Sequence, residues 1–290
     1  MVDTTRLMVH CPLCHSENTP RTEGLVRDLP EIPVLKCSDC SLVFLGSFDH
    51  IHDEFYEESK MRVDDINMDT WISETKGDDE RRFRYLHNFL RNADVLDFGA
   101  GNGGFLRLAK QDARSVTAVE LDREASLLFE RNNIPHHRFL KDIPANKRFN
   151  LITAFHVIEH LKNPIDFLKE ASSLLHPDGS LYLEFPNADD ALLSLYGSKP
   201  FSEFTYWSCH LMLFNHETIK VAIKKAGLQC KNIKQIQRYP LSNHLYWLAK
   251  GLPGGHDAWP FLDSQKLNIE YEKILANAKV CDTLLVEVSL

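Results

Sequence analysis

The sequence predicts an α/β chain. Its main part is a doubly wound, mostly parallel sheet, and a small metal-stapled ribbon precedes it. Three observations carry this prediction. From residue 78 onward, short apolar segments alternate with segments of helical period, which argues for parallel strands covered by helices on both faces. The first of those apolar segments ends in an acid and runs straight into a glycine loop and a helix pattern: Asp94-Val95-Leu96-Asp97-Phe98-Gly99-Ala100-Gly101-Asn102-Gly103-Gly104-Phe105-Leu106. Near the N-terminus, Cys11-Pro12-Leu13-Cys14 and Cys37-Ser38-Asp39-Cys40 form two CxxC pairs with twenty-two residues between them.

Composition bounds the rest. A chain of 290 residues can hold one large domain and a small one, and 43% apolar residues is ordinary for a globular protein. The net charge of −8 counts against a dedicated nucleic-acid surface. No apolar segment is long enough to span a membrane, and the first ten residues carry no signal-peptide core. Of seven cysteines, four fall in the CxxC pairs, while Cys209, Cys230 and Cys281 lie far apart. That usage favours a metal site in a reducing compartment over a disulfide framework, so a cytoplasmic location is expected.

Residues 1–45 are expected to be the ribbon. Each CxxC presents two thiolates from one tight turn, and Cys11, Cys14, Cys37 and Cys40 together complete a tetrahedral Zn²⁺ site. The expected zinc is structural, because so short a segment lacks a core of its own. Residues 46–77 read as a bridge rich in acids and aromatics; His50 and His52 there are metal ligands or acceptor contacts, or else, the preferred reading, partly exposed histidines without a role. A helix over 78–91, capped by Asp78 or Asp79, leads into the first strand at 95–98 and a helix at 103–111. Strand 116–120, helix 122–132, a short strand at 137–140 and strand 149–155 follow. Pro164 opens a helix to residue 175, with Asn163 as its cap. A turn at 176–179 precedes strand 180–185. An insertion at 188–214, a helix at 216–226 ended by Gly227 and strand 229–237 come next. A second insertion at 239–280 holds a turn at 251–255 and a helix at 264–278, and strand 283–288 closes a set of seven.

Gly99-x-Gly101-x-x-Gly104 fits the dinucleotide fingerprint, a weak signal by itself. Its glycines permit positive φ and a close approach of backbone to ligand. Asp97, two residues before the first glycine, is the discriminating feature. A pyrophosphate at this helix N-terminus would be repelled by that carboxylate, which disfavours a nicotinamide dehydrogenase. The ammonium group of S-adenosylmethionine would be attracted. Glu120, at the end of the next strand and about twenty residues past the first glycine, stands where a carboxylate takes two ribose hydroxyls.

With these residues, and with Asp142, the segment 154–160 and the turn 175–179, the chain resembles the class I S-adenosylmethionine-dependent methyltransferases from about residue 78 to the end. The resemblance implies a seven-stranded Rossmann-like sheet whose last strand inserts antiparallel between the fifth and sixth. It implies S-adenosylmethionine as cofactor, contacted by Asp97, Gly99, Ala100, Gly101, Gly104, Glu120, Leu121, Phe155 and His156. Asp142 is implied to face the adenine amino group; a cap of a turn is the alternative. Members of this type often cover the cofactor with an N-terminal segment, for which Tyr56 and Trp71 are the lid candidates.

His156-Val157-Ile158-Glu159-His160 also fits H-x-x-E-H, an inverted zinc-protease motif. That motif needs one helix carrying both histidines, whereas His156 directly follows an apolar strand. The resemblance places this segment on the cleft between cofactor and acceptor. His156 is then a base or a sulfonium neighbour. Glu159 and His160 orient the acceptor, bind a divalent ion as in similar quinone O-methyltransferases, or simply cap the next loop. Residues 201–210, rich in aromatics, are expected over the same cleft, with His210 as general base. Tyr206, Trp207 and Asn215 are lesser candidates, and 243–247 is either a further acceptor contact or a packed aromatic cluster.

A ribbon ahead of such a domain resembles the sugar methyltransferases. Those acting on sugar carbon carry His-Glu-His and a long extra domain, where this chain has Ser208-Cys209-His210 and ends after the last strand. The expected acceptor is therefore a small molecule methylated on oxygen or nitrogen, such as a sugar nucleotide or a polysaccharide precursor. An rRNA methyltransferase with a zinc-ribbon head, and a non-catalytic zinc-ribbon scaffold, are the alternatives. Few basic residues in the ribbon (Arg21, Arg27, Lys36) count against the first. Asp97 and Glu120 together count against the second.

Overall fold

Two short β-hairpin strands come first. The computed structural model describes residues 9–52, 55–56 and 68–290. The first eight residues of the expected ribbon and the middle of the expected bridge, 57–67, lie outside the described residues. Val34–Lys36 (β1) and Val43–Leu45 (β2) flank the second cysteine pair, one before it and one after, and pair antiparallel. Met68–Leu90 (α1) is a helix that starts ten residues before the expected boundary at 78. Its extra turns rest on the glycine loop, where the Asn102 side-chain amide donates to Thr75 Oγ1 at 2.8 Å and to the Trp71 carbonyl at 3.3 Å.

Asp94–Phe98 (β3), Gly104–Ala109 (α2), Ser115–Val119 (β4) and Arg123–Arg131 (α3) follow as expected. The Asp122 carboxylate caps α3 by accepting from the Glu124 amide. The third strand shrinks to His136–His137 (β5), and a 3₁₀ turn over Leu140–Asp142 replaces its end. Phe149–Phe155 (β6) and Pro164–Ser173 (α4) come next; Asn163 precedes α4 without a side-chain capping bond. Leu175–Pro186 (β7) begins five residues before the expected strand and absorbs the expected turn as an irregular start. A Cβ on Gly179 would stand 2.9 Å from the Phe149 carbonyl oxygen, so only glycine lets the two strands close here.

The first insertion forms Ala191–Ser194 (α5), Lys199–Thr205 (α6) and Met212–Leu213 (β8). His216–Lys225 (α7) and Gln229–Ile236 (β9) lead to the second insertion: Leu241–Lys250 (α8), Gly255–Ala258 (α9) and Gln265–Ala278 (α10). Helix α8 is absent from the sequence reading; its aromatic run, Asn243 to Trp247, lies on it. Thr283–Ser289 (β10) ends the sheet.

The seven strands run in the order β5-β4-β3-β6-β7-β10-β9, with β10 antiparallel to both neighbours. Side chains alternate across it. Leu285 joins Leu86, Phe105 and Phe129 under α1, α2 and α3, while Leu284 and Val286 join Leu168, Ala171 and Ile219 under α4 and α7. Strand β8 belongs to the other sheet, in the order β1-β2-β8. Cys11, Leu13, Val26 and Phe44 of the ribbon therefore share one core with Leu213, Phe214 and Ile158. The expected boundary at residue 45 thus does not separate two cores: a two-stranded hairpin has too little apolar face and takes a third strand from the main domain. Among the described residues no helix is long and apolar enough to cross a membrane.

Candidate active site

The carboxyl ends of β3, β4 and β6 open into one cleft of about 880 Å³, a size that suits a small-molecule ligand. At its floor β3 ends and the chain turns sharply. Gly99 adopts φ +70°, and a Cβ there would come within 2.4 Å of Val157 Cγ2. Gly99, Ala100, Gly101 and Leu121 line the cleft, and Phe155 walls it with the Arg82 guanidinium 4.5 Å from its ring centre. Gly104 is not a lining residue. Its missing side chain makes room for α1 instead, since a Cβ would stand 1.9 Å from Asp79 Oδ2.

Asp97 and Glu120 stand side by side in this wall. Asp97 is 2% exposed and accepts from Thr153 Oγ1 at 2.7 Å; burial pushes its carboxyl up to about 7. Glu120 accepts from the amides of Gly101 at 2.7 Å, Leu121 at 2.7 Å and Asp122 at 3.0 Å. It ties the glycine loop to the next turn, and burial raises its carboxyl as well. Asp142 takes the second of its two expected places, the cap of a turn. Its carboxylate accepts from the Phe139 amide at 3.0 Å, is exposed and is absent from the lining, because the third strand ends early and the 3₁₀ turn needs that cap.

On the far wall, His156 takes a left-handed φ of +55°, a strained position for a side-chain-bearing residue. Its Nδ1 lies 3.3 Å from Glu159 Oε1 and its Nε2 3.5 Å from Glu184 Oε1. Burial opposes a charge there, yet the two carboxylates outweigh it and raise the imidazole. Its two ring nitrogens thus face Glu159 and Glu184, with Arg238 also 3.3 Å from Nε2, so both are already engaged by neighbouring side chains. His156 and His160 do not share a helix, for only one 3₁₀ turn, Ile158–His160, lies here.

Glu159 is 1% exposed, and its Oε2 has no hydrogen-bond partner among the described residues. Burial opposes its charge, but His156 and His160 hold the carboxyl low. His160 Nδ1 lies 2.8 Å from the Cys209 carbonyl oxygen, and its own carbonyl accepts from Tyr56 OH at 3.0 Å. The His210 ring is 4.9 Å from the His160 ring and 5.7 Å from Trp207. Burial lowers both imidazoles, that of His210 to about 3. His160, Cys209 and His210 each offer a possible ligand atom, and these lie within 4.8 Å of one another.

Tyr56, Trp71, Trp207 and Arg238 also line the cleft. Other candidates do not. Asn215 caps α7, accepting from the amides of Glu217 and Thr218. Tyr206 is buried, and Gly24 packs against its ring. Along 243–247, His244 Nδ1 meets Tyr271 OH at 2.7 Å and Trp247 packs on Phe201 and Phe204. This is the packed aromatic cluster. His50 Nε2 lies 2.7 Å from the Ser208 carbonyl oxygen, and His52 sits beside Phe55.

Sequence reasoning missed a charged cluster under the cleft. Glu184, 0% exposed, accepts from Arg81 at 2.8 and 2.9 Å and from Arg82 at 2.7 and 3.0 Å. Arg238 pairs with Asp78 and reaches His156 Nε2 at 3.3 Å. The signal was one acid inside the apolar run Leu181–Phe185, since a buried carboxylate requires cations beside it. Which cations answer it, from α1, is a long-range fact.

The four ribbon cysteines converge. Cys11 Sγ is 3.6 Å from Cys40 Sγ, Cys14 Sγ is 3.5 Å from Cys37 Sγ, and all four lie within 4.8 Å of one another. Such distances are far beyond a disulfide bond and close to the ~3.8 Å edge of a tetrahedron with ~2.3 Å Zn–S bonds. Burial raises the Cys11 thiol to about 11. Burial opposes ionisation of Cys37 too, but the amides of Cys40 and Asp39 aimed at its sulfur win and lower it to about 7. The donor set fits a zinc ion.

Comparison with known proteins agrees with this geometry. Residues 77–233 match the family model described as a methyltransferase domain. The chain is 25% identical over 190 residues to the ubiquinone biosynthesis O-methyltransferase of Haemophilus ducreyi, covering 58% of this chain and 79% of that one. It is 28% identical over 139 residues to the tRNA U34 carboxymethyltransferase of Nautilia profundicola, covering 44% of this chain and only 45% of the length of that protein. Among solved structures, a SAM-dependent methyltransferase from Archaeoglobus fulgidus superimposes with a TM-score of 0.51 at 19% identity, over 76% of this chain and 99% of that one. That likeness concerns the fold.

Proposed function

The chain belongs to the methyltransferase-domain family, as an enzyme of the S-adenosylmethionine class, and from that premise we propose that it methylates an oxygen or nitrogen of a small molecule, such as a sugar derivative. The observation that carries this reading is the shared cleft, with paired acids on one wall and a neutral histidine on the other. In this reading Asp97 meets the cofactor's ammonium, Glu120 its ribose, and Phe155 and Leu121 its flat apolar parts. When bound, the cofactor supplies the electrophilic methyl group. The protein's share is to position the acceptor in line and to take its proton. Zinc, held by Cys11, Cys14, Cys37 and Cys40, is assigned a structural role.

His210 is the proposed base. Burial keeps it neutral across the physiological range, so its lone pair is available. The same burial makes it a weak base, so it takes the hydroxyl proton as the methyl group transfers, when bonding to carbon makes that proton acidic. On the true acceptor, His210→Gln is expected to cut turnover by ~10²–10⁴ and leave adenosylhomocysteine affinity unchanged. Full turnover in this variant would remove His210 from the mechanism.

Cofactor binding should depend on pH through Asp97. With its carboxyl up at about 7 in the free protein, Asp97 is largely protonated below that pH. The cationic cofactor binds the ionised form, so binding releases a proton. Affinity is expected to rise by up to ~10-fold per pH unit from about pH 5 to 7, then to fall above about pH 8 as the cofactor's own α-amino group deprotonates. Calorimetry in buffers of different ionisation enthalpy reads the released proton; an affinity flat from about pH 5.5 to about pH 7.5 would sink this role.

An RNA acceptor is the second reading, favoured by the tRNA enzymes among the relatives. A labelled-methyl screen against sugar nucleotides, phenols and bulk RNA decides between the two. Methylation of RNA alone would overturn the small-molecule reading.

A further inference from the structure

Resting on the reading of Trp207 and His210 as acceptor-side residues, we infer that Arg27 and Asp28 of the ribbon are positioning residues for that side of the cleft. Both lie on the loop whose two ends are the CxxC pairs. The Asp28 carboxylate accepts from the Ser208 amide at 2.9 Å and from Ser208 Oγ at 2.6 Å. The Arg27 amide donates to the Tyr206 carbonyl at 2.9 Å. Its guanidinium lies 4.5 Å from the ring centre of Trp207 and 5.0 Å from that of Phe204.

The segment held in this way has little order of its own. Between the end of α6 at Thr205 and the start of β8 at Met212 there is no helix or strand. The segment nevertheless carries Trp207 and His210, which both line the cleft. Further along, the Leu45 amide donates to the Leu211 carbonyl at 3.0 Å, so the ribbon grips both sides of His210. The ribbon's metal knuckles thus fix a loop, the loop fixes Ser208 and Trp207, and these set the acceptor wall. None of these contacts touches the acids of the cofactor wall.

Arg27 and Asp28 are exposed, so replacing them leaves the core untouched. Hydrogen exchange on the full-length, zinc-loaded chain tests the inference. In Asp28→Ala and Arg27→Ala, amides of 206–210 are expected to lose protection by about tenfold, while those of β3 and β6 keep theirs. Asp28→Asn retains one acceptor for Ser208 and should give an intermediate loss. Adenosylhomocysteine affinity should stay within about twofold, and KM for the acceptor found by the screen should rise by about tenfold with a smaller change in kcat. Unchanged protection of 206–210, or a loss shared equally with the central sheet, would overturn the positioning role. A parent protein that binds no adenosylhomocysteine would instead end the cofactor reading, and the exchange result would still decide the role of Arg27 and Asp28.

Discussion

Asp97→Asn is expected to weaken S-adenosylmethionine binding by at least ~30-fold, the loss that follows when one member of a buried charge pair is removed. The substitution is nearly isosteric. Its side-chain oxygen still accepts from Thr153 Oγ1, so the end of β3 keeps its place. What disappears is the anion that meets the cofactor's ammonium. Desolvation of that ammonium is then no longer compensated, because Glu120 is already engaged by three backbone amides. Asparagine also removes the titrating group, so the rise of affinity between about pH 5 and 7 should vanish with it. Calorimetry with adenosylhomocysteine at two pH values reads both effects. Asn at position 97 with native affinity would place the ammonium elsewhere.

Removing zinc is expected to have the largest effect on stability. One Zn²⁺ per chain should be found, and a strong chelator or Cys37→Ser should release it. Structural zinc sites contribute on the order of 10 kcal/mol to folding, and forfeiting even ~5 kcal/mol would lower Tm by ~10–20 °C in a domain of this size. The loss should not stop at the ribbon. Strand β2 pairs with β8, and Phe44 shares a core with Leu213 and Phe214, so freeing the hairpin exposes apolar surface of the main domain. Metal analysis with calorimetric unfolding checks this. A folded, metal-free sample with an unchanged Tm would refute the structural role.

Different parts of the site were legible to different degrees. Asp97, the glycine loop and Glu120 could be read because their meaning is local: a strand end, a tight turn and a second strand end. The clustering of the four ribbon cysteines was readable for the same reason. Asp142 and Gly104 were less legible, because spacing places a residue on a loop without fixing where its side chain turns. In the first case the 3₁₀ turn uses the carboxylate, and in the second α1 fills the space. His156 lines the cleft as expected, but its partners could not be read locally, because Glu184 lies twenty-eight residues on, 156 to 184.

The sequence by itself determined the seven-stranded α/β plan, the cysteine knuckles and the acidic pair, since apolar periodicity, glycine and charge act over a few neighbouring residues. Only the tertiary structure decided that β8 completes the ribbon's sheet, that Arg81 and Arg82 neutralise Glu184, and that Asp28 holds Ser208. These pairings join residues scores of positions apart. A lone strand edge, a buried acid or an unpaired hydroxyl declares that a partner is required, but many segments could supply one, and packing alone selects among them.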